Sequence, residues 1–289
     1  MSRIAMVGIG LMGHGIASNL LRHGHALRLL EHPGNQPVAD LLAAGAQSTA
    51  DPAALMTDRD VLLLCVTGSP QVEAIMLGEA GLVSRLRPGM IVIDCSTALP
   101  GSTEEVAAQV AAAGGRFLDA AMTRTPKEAA EGRLNLLVGG DDDLYRACEP
   151  LLRCFAENIV HGGPVGAGHR LKLLHNFVSL GQMALLSEAF ACAARADIDP
   201  SVLIDVLASG GGGGVALERL RPYLEHGDPS SVRFSMANAF KDLSYYHQMA
   251  AEQSAAAGIA AAVRDTYQAA QAVDPSAPVP TLVSRLRGA

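Results

Sequence analysis

At 289 residues, with 49% hydrophobic and 18% charged side chains, the chain holds enough apolar material for two cored domains. A formal net charge of −7 leaves no basic excess for nucleic acid, which is excluded as a partner. With no tryptophan and 4% aromatics, the cores must be built from Ala, Leu, Val and Ile.

The first element is a short apolar run, residues 4–7, that breaks into Gly8-Ile9-Gly10-Leu11-Met12-Gly13 and continues as a helical pattern over residues 12–21. Glycines at a strand-to-helix turn have a chemical reading. Gly8 permits the tight turn, Gly10 lets backbone approach a pyrophosphate, and Gly13 lets helix pack on strand, while the helix N-terminus holds the phosphates. Leu11 and Met12 belong to the same cofactor-binding turn. A second strand, residues 26–30, ends in Glu31, about twenty residues past the turn, where a dinucleotide fold places its ribose-reading carboxylate. A carboxylate repels a 2′-phosphate, and His32-Pro33-Gly34 brings no arginine to pair with one. The expected cofactor is therefore NAD rather than NADP. A Glu31 that merely ends a strand in solvent is the plainer alternative.

The alternation repeats: strands at 61–65 and 91–94, helices at 70–76 and 100–112, then strands at 117–120 and 134–138 around a helix at 126–131. Strands alternating with helices imply a doubly wound parallel sheet of the Rossmann type. The loops Val66-Thr67-Gly68-Ser69 and Cys95-Ser96-Thr97 would face its ligand crevice, though Ser96 and Thr97 would serve equally as a helix N-cap. Near Gly162 the strands stop and glycines mark a boundary. The chain divides into a dinucleotide-binding domain, residues 1–163, and an all-helical domain, residues 164–289, joined by a long helix from about Gly168 to Ala196. That helix carries Lys172, His175, Asn176, Gln182, Glu188 and Arg195, too many polar groups for a membrane span. Five glycines, residues 210–214, make a lid or a plain helix connection, and a proline-rich tail follows at 275–280.

Lys172 and Asn176, four apart, project from one face of the long helix within an otherwise apolar stretch. A partly buried lysine exchanges protons near neutrality. Cys65, Cys95, Cys148, Cys154 and Cys192 have no metal-ligand spacing and read as reduced thiols of a cytoplasmic protein. The first strand begins too early for a signal peptide.

With these motifs in order, the chain resembles the β-hydroxyacid dehydrogenases, the family of 3-hydroxyisobutyrate dehydrogenase. The segment Gly8 to Leu20 is similar to the family's cofactor signature. Gly166-Ala-Gly-His-Arg-Leu-Lys172-Leu-Leu-His-Asn176 is similar to its catalytic signature, and Lys241-Asp242-Leu243 to a further motif. The resemblance implies that Lys172 transfers the proton, that Asn176 binds substrate, that Ser96 lies on the nicotinamide side and that Lys241 lies near cofactor and substrate. One motif departs. The family's Asp-Ala-Pro-Val-Ser-Gly-Gly substrate loop reads Asp119-Ala-Ala-Met-Thr123-Arg124-Thr125 here. Thr123 keeps a hydroxyl, and Arg124 adds a planar cationic fork suited to an oxyanion. An Arg-Thr pair at this point is similar to the sulfolactaldehyde reductases, so the expected substrate is a small anionic hydroxyacid or semialdehyde with a sulfonate or second carboxylate, held by Thr123, Arg124 and Thr125. An Arg124 turned to solvent is the alternative.

The expected function is an NAD-dependent oxidoreductase, assembled as a homodimer or homotetramer and needing neither metal nor membrane. Two other readings stay open. An NADPH-dependent semialdehyde or imine reductase is opposed by Glu31 and by Lys172, and a non-catalytic cofactor-binding relative is opposed by the retained lysine.

Overall fold

The computed structural model describes residues 1–288 and divides into two compact units, Met1–Lys172 and Leu173–Ala289. The first is built on eight strands: β1 Arg3–Val7, β2 Ala26–Leu30, β3 Gln47–Thr49, β4 Val61–Leu64, β5 Ile91–Asp94, β6 Arg116–Thr123, β7 Leu134–Gly139 and β8 Ala156–His161. Between them run α1 Leu11–Arg22, α2 Ala39–Ala43, α3 Pro52–Met56, α4 Ser69–Leu77, α5 Pro100–Ala112, α6 Pro126–Glu131 and α7 Asp142–Leu152, and α8 Ala167–Arg195 follows the last strand. The sheet order is β3-β2-β1-β4-β5-β6-β7-β8, with β1 beside β4, so the chain reverses direction of winding at the glycine turn.

The sheet is parallel from β3 to β6, but β7 runs antiparallel to β6 and carries β8 with it. The connection explains the reversal. Only residues 124–133 join β6 to β7, and a parallel crossover needs a dozen or more. Two strands had no signal in the sequence. β3 is three polar residues, and β8 reads Ala-Glu-Asn-Ile-Val-His at the sheet edge, without a continuous apolar side. The central strands are buried on both faces, as parallel strands packed between helices must be. Ile4, Met6, Leu63, Ile93 and Leu118 pack one face, and Ala5, Leu62, Leu64 and Val92 the other.

Polar side chains lock the helices onto this sheet. Asp51 and Asp141 cap α3 and α7, and Thr125 with Glu128 forms a capping box at α6. α1 lies close on α6, because Gly15 has no side chain: a Cβ there would sit 2.6 Å from the Ala129 carbonyl carbon. Buried Asn19 then donates its amide to the carbonyls of Gly15 at 2.8 Å, Ala129 at 2.9 Å and Ala130 at 3.3 Å.

The second unit is helical. It contains most of α8, then α9 Pro200–Ala208, α10 Val215–His226, α11 Met236–Glu252, α12 Gly258–Val273 and α13 Leu282–Arg287. Phe190, Ile204, Leu220, Leu243, Tyr267 and Leu282 form its core, with the Tyr267 hydroxyl donating to the Leu180 carbonyl at 3.1 Å. Residues 210–214 connect α9 to α10, and the proline-rich segment lies along the start of α11, where Met236 N–H donates to the Ala277 carbonyl. α8 is long and apolar enough to cross a bilayer by length and composition, and 44% of its most apolar window is buried within the protein.

Candidate active site

The glycine turn has the geometry its sequence implies. Gly8 has φ +92°, and a Cβ there would meet the Cys65 carbonyl oxygen at 2.2 Å, so only glycine fits beside the end of β4. A Cβ at Gly13 would lie 2.0 Å from the Gly8 carbonyl oxygen. Gly10, which caps α1 without a side-chain bond, has nothing within 4 Å of where its Cβ would be. Two glycines are thus demanded by the protein's own backbone and the middle one by space beside it. That is a cradle suited to a pyrophosphate on the first N–H groups of α1, with no carboxylate in the first turn to repel it. Leu11 is 51% exposed at the edge of this turn and Met12 is partly buried.

Asn35 braces the turn from behind. Its Oδ1 accepts the Ile9 N–H at 3.1 Å and its Nδ2 donates to the Leu30 carbonyl at 2.9 Å, tying the glycines to the end of β2. Glu31 and His32 follow β2 on the surface. The Glu31 carboxylate accepts from the Ser48 hydroxyl at 2.8 Å, and the His32 Nδ1 accepts from Gly34 N–H at 3.0 Å. Sequence reasoning did not find Asn35, since an asparagine after a strand reads as a turn residue.

The loops after β4 and β5 are laced together. Val66 N–H donates to Ser96 Oγ at 3.0 Å, and Leu99 N–H donates to Ser69 Oγ at 2.8 Å. Ser96 N–H donates in turn to Asp94 Oδ1 at 2.9 Å. Ser96 does not cap α5, whose N-cap is Leu99. Thr67 is exposed on the first of these loops. Burial pushes the Cys65 thiol up to about 12 and holds Cys95 well above its ordinary value, so neither is a nucleophile at neutral pH.

The three residues expected to hold substrate, Thr123, Arg124 and Thr125, each have partners within the first unit. Thr123, at the end of β6, accepts from Asn135 Nδ2 at 3.1 Å. Thr125 is spent on the capping box. Arg124 adopts φ +80°, and its guanidinium donates to the Arg133 carbonyl and pairs with Glu157 on β8. The Arg124 hydrogen bond holds the Glu157 carboxyl below its usual range, although Glu157 is itself exposed. Arg124 is thus turned neither to open solvent nor to an empty loop.

Asp119 on β6 fixes the start of α8. Its two oxygens accept the N–H groups of Gly166 at 2.7 Å and His169 at 2.9 Å, and a Cβ on Gly168 would strike the Leu137 carbonyl oxygen at 2.3 Å. Lys172, partly buried, comes one turn after this anchor, and Asn176 one turn later on the same continuous helix. Within the second unit, Asn176 is buried and donates to Asp242 Oδ2 at 2.6 Å, while its Oδ1 faces His175 Nδ1 at 2.9 Å. Buried Asp242 also pairs with Lys241 at 2.7 Å, and the Lys241 ammonium lies 4.9 Å from the Tyr245 ring centroid. Asp242 organises both expected substrate residues of that unit.

Residues 3–163 match the NAD-binding domain of 6-phosphogluconate dehydrogenase, and residues 166–278 match a domain described as the NAD-binding domain of NADP-dependent 3-hydroxyisobutyrate dehydrogenase. A 3-hydroxyisobutyrate dehydrogenase of Pseudomonas aeruginosa is 33% identical over 77% of this chain and 74% of its own. The 3-sulfolactaldehyde reductase of Escherichia coli is 29% identical over 94% and 91%. Among solved structures, Mycobacterium tuberculosis 3-hydroxyisobutyrate dehydrogenase with L-serine superposes with a TM-score of 0.85 at 26% identity, covering 99% of both chains.

Proposed function

Because the chain belongs to the β-hydroxyacid dehydrogenase family, the 3-hydroxyisobutyrate dehydrogenase-like oxidoreductases, we propose that it interconverts a small anionic β-hydroxyacid and its semialdehyde with NAD. The observation that carries this reading is the start of α8. A buried carboxylate, Asp119, pins the helix N-terminus, and Lys172 and Asn176 follow at one-turn intervals.

Gly8, Gly10, Leu11, Met12 and Gly13 would hold the pyrophosphate, Glu31 and His32 the ribose end, and Val66, Thr67 and Ser96 the nicotinamide end. When bound, the dinucleotide supplies the acceptor or donor for the hydride of the substrate carbon. The protein's part is the proton. Lys172 takes it from the substrate hydroxyl in oxidation and returns it in reduction, worth typically about 10²–10⁴-fold. Asn176, oriented by Asp242, has a second amide hydrogen for the substrate. Thr123, Arg124, Thr125 and Lys241 would hold the substrate's anionic groups, with a sulfonate or second carboxylate competing against Glu157 for the Arg124 fork. Glu31 favours NAD, since its carboxylate repels a 2′-phosphate.

We read the protein as a cytoplasmic homodimer or homotetramer. Leu174, Val178 and Leu185 of α8 are 46%, 56% and 69% exposed along one helix face, and a second copy would cover them. The reading is tested by assaying the purified protein with NAD and NADP against 3-hydroxy acids that include sulfonated and dicarboxylic members. Turnover of none of them would overturn it.

A further inference from the structure

His169 is fully buried one turn before Lys172, and both its ring nitrogens are engaged. Nε2 lies 3.2 Å from the Ser96 carbonyl oxygen, which can only accept, so Nε2 carries a hydrogen. Nδ1 lies 2.6 Å from the Thr103 hydroxyl on α5. That hydroxyl also donates to the Leu99 carbonyl at 3.0 Å, whose second lone pair receives the Thr103 N–H at 3.0 Å. The Thr103 hydroxyl and the Ser96 carbonyl therefore hold the ring at both nitrogens. The ring is a strut from α5 and the start of α8 to the loop after β5.

That strut completes the fastening of Ser96. Its N–H is held by Asp94, its Oγ by Val66 N–H and its carbonyl by His169, and its side chain also engages the Asp94 carboxyl. A serine fixed at its N–H, its Oγ and its carbonyl presents its hydroxyl in a single direction.

We propose that His169 is a positioning residue, whose Nε2–H to the Ser96 carbonyl holds the Ser96 hydroxyl in its working direction and in register with Lys172. This rests on Ser96 and Lys172 serving the reaction proposed above. His169 itself touches neither substrate nor cofactor. The hydrogen bond it makes to Ser96 is what matters, not the imidazole as an acid or base.

Two substitutions separate that bond from the rest of the side chain. His169→Gln places an amide donor near the Nε2 position, whereas His169→Asn reaches only the Nδ1 position and keeps Thr103 while losing Ser96. Hydrogen exchange of the Val66 amide, which is bonded to Ser96 Oγ, reads the fastening without any assay of turnover. We expect exchange to rise about tenfold or more in His169→Asn and to stay near wild type in His169→Gln, with amides of β1 and β4 unchanged in both. Turnover should fall by about ten- to a hundredfold in His169→Asn, recover in His169→Gln, and leave the NAD dissociation constant within a few-fold. In a Ser96→Ala background the same His169→Asn change should cost less than about twofold, because the two act as one unit. Unchanged Val66 exchange, equal losses for the two variants, or full additivity with Ser96→Ala would each overturn the proposal. A wild-type protein that turns over no hydroxyacid, but shows the expected exchange pattern, would reject the substrate reading and keep the strut.

Discussion

Asp94 and Asp119 stand opposite each other on the adjoining parallel strands β5 and β6, both without exposed surface, yet only Asp119 has both oxygens bonded. Asp94 Oδ1 accepts from Ser96, and Oδ2 has no partner among the described residues. Burial pushes the Asp94 carboxyl above its usual range, the nearby Asp119 adding to the effect and the hydrogen bonds from Ser96 partly opposing it. The folded state therefore holds this proton more tightly than the unfolded chain. Stability from this group falls as pH climbs from the ordinary carboxylate range through the raised folded value, and it stays lower above that. Asp94→Asn keeps the acceptor for Ser96 and removes the penalty. Thermal melts should place the variant above wild type near about pH 8, with the gap closing toward about pH 4. A gap that does not change with pH would refute the argument.

The glycines of the turn should separate by substitution. Gly13→Ala drives a methyl group to 2.0 Å from the Gly8 carbonyl oxygen and should destabilise the protein by about 1–3 kcal/mol, the usual cost of overpacking. Gly10→Ala meets no protein atom within 4 Å. It should melt with wild type and yet bind NAD at least about tenfold more weakly, because the methyl takes the space a pyrophosphate would use. Calorimetric titration of both variants checks this, and undiminished NAD affinity in Gly10→Ala would remove the phosphate from the turn.

Glu31 should make NAD the preferred dinucleotide. The measurement is kcat/KM with each cofactor, and a tenfold advantage for NADP would count decisively against the reading. Glu31→Asn should narrow the preference, since the amide keeps a hydrogen-bonding oxygen without repelling phosphate.

Lys172→Ala should fold, bind NAD within a few-fold of wild type and lose about 10²–10⁴-fold in kcat. Retained turnover would assign the proton transfer to another group.

Arg124 is tied to Glu157, and the two readings of that arginine differ in what happens when the tie is cut. If a substrate sulfonate or second carboxylate uses the guanidinium, Glu157→Gln should raise kcat/KM for such substrates. Arg124→Ala should then lower it by about ten- to a hundredfold, with Arg124→Lys between wild type and alanine. Monoanionic analogues should respond less to all three. Equal changes on both substrate types would make the Arg124–Glu157 pair a purely structural clasp and return the substrate to a monocarboxylic hydroxyacid.

The sequence showed most clearly what depends on local pattern. The turn at Gly8–Gly13, the strand ending at Leu30 and the helix at 126–131 all follow from spacing and from what glycine and proline do to a backbone. The boundary near Gly162 marked where strands end, while the compact units part at Lys172, because the first turn of α8 packs with the sheet through Asp119. Hidden from the sequence was everything set by pairs distant along the chain. Glu157 is 33 residues from Arg124, and its strand has the mixed polarity of an edge. Thr103 and His169 are 66 residues apart, and a lone histidine in an apolar helix carries no mark of the serine loop it supports. The reversal of β7 was readable only from loop length, which the periodicity of the strands does not report.

Asn19 joins the helix behind the glycine turn to the helix behind residues 123–125, and Gly15 lets the two lie backbone to backbone. The two ends of the proposed reaction centre are consequently mounted on one stiff frame, with little freedom for the loop at residues 123–125 to slide relative to the turn at residues 8–13. A lineage built on this frame would acquire a new substrate by exchanging side chains at fixed stations, as a lathe takes new tools, and its relatives would differ in chemistry at residues such as Arg124 while superposing closely in backbone.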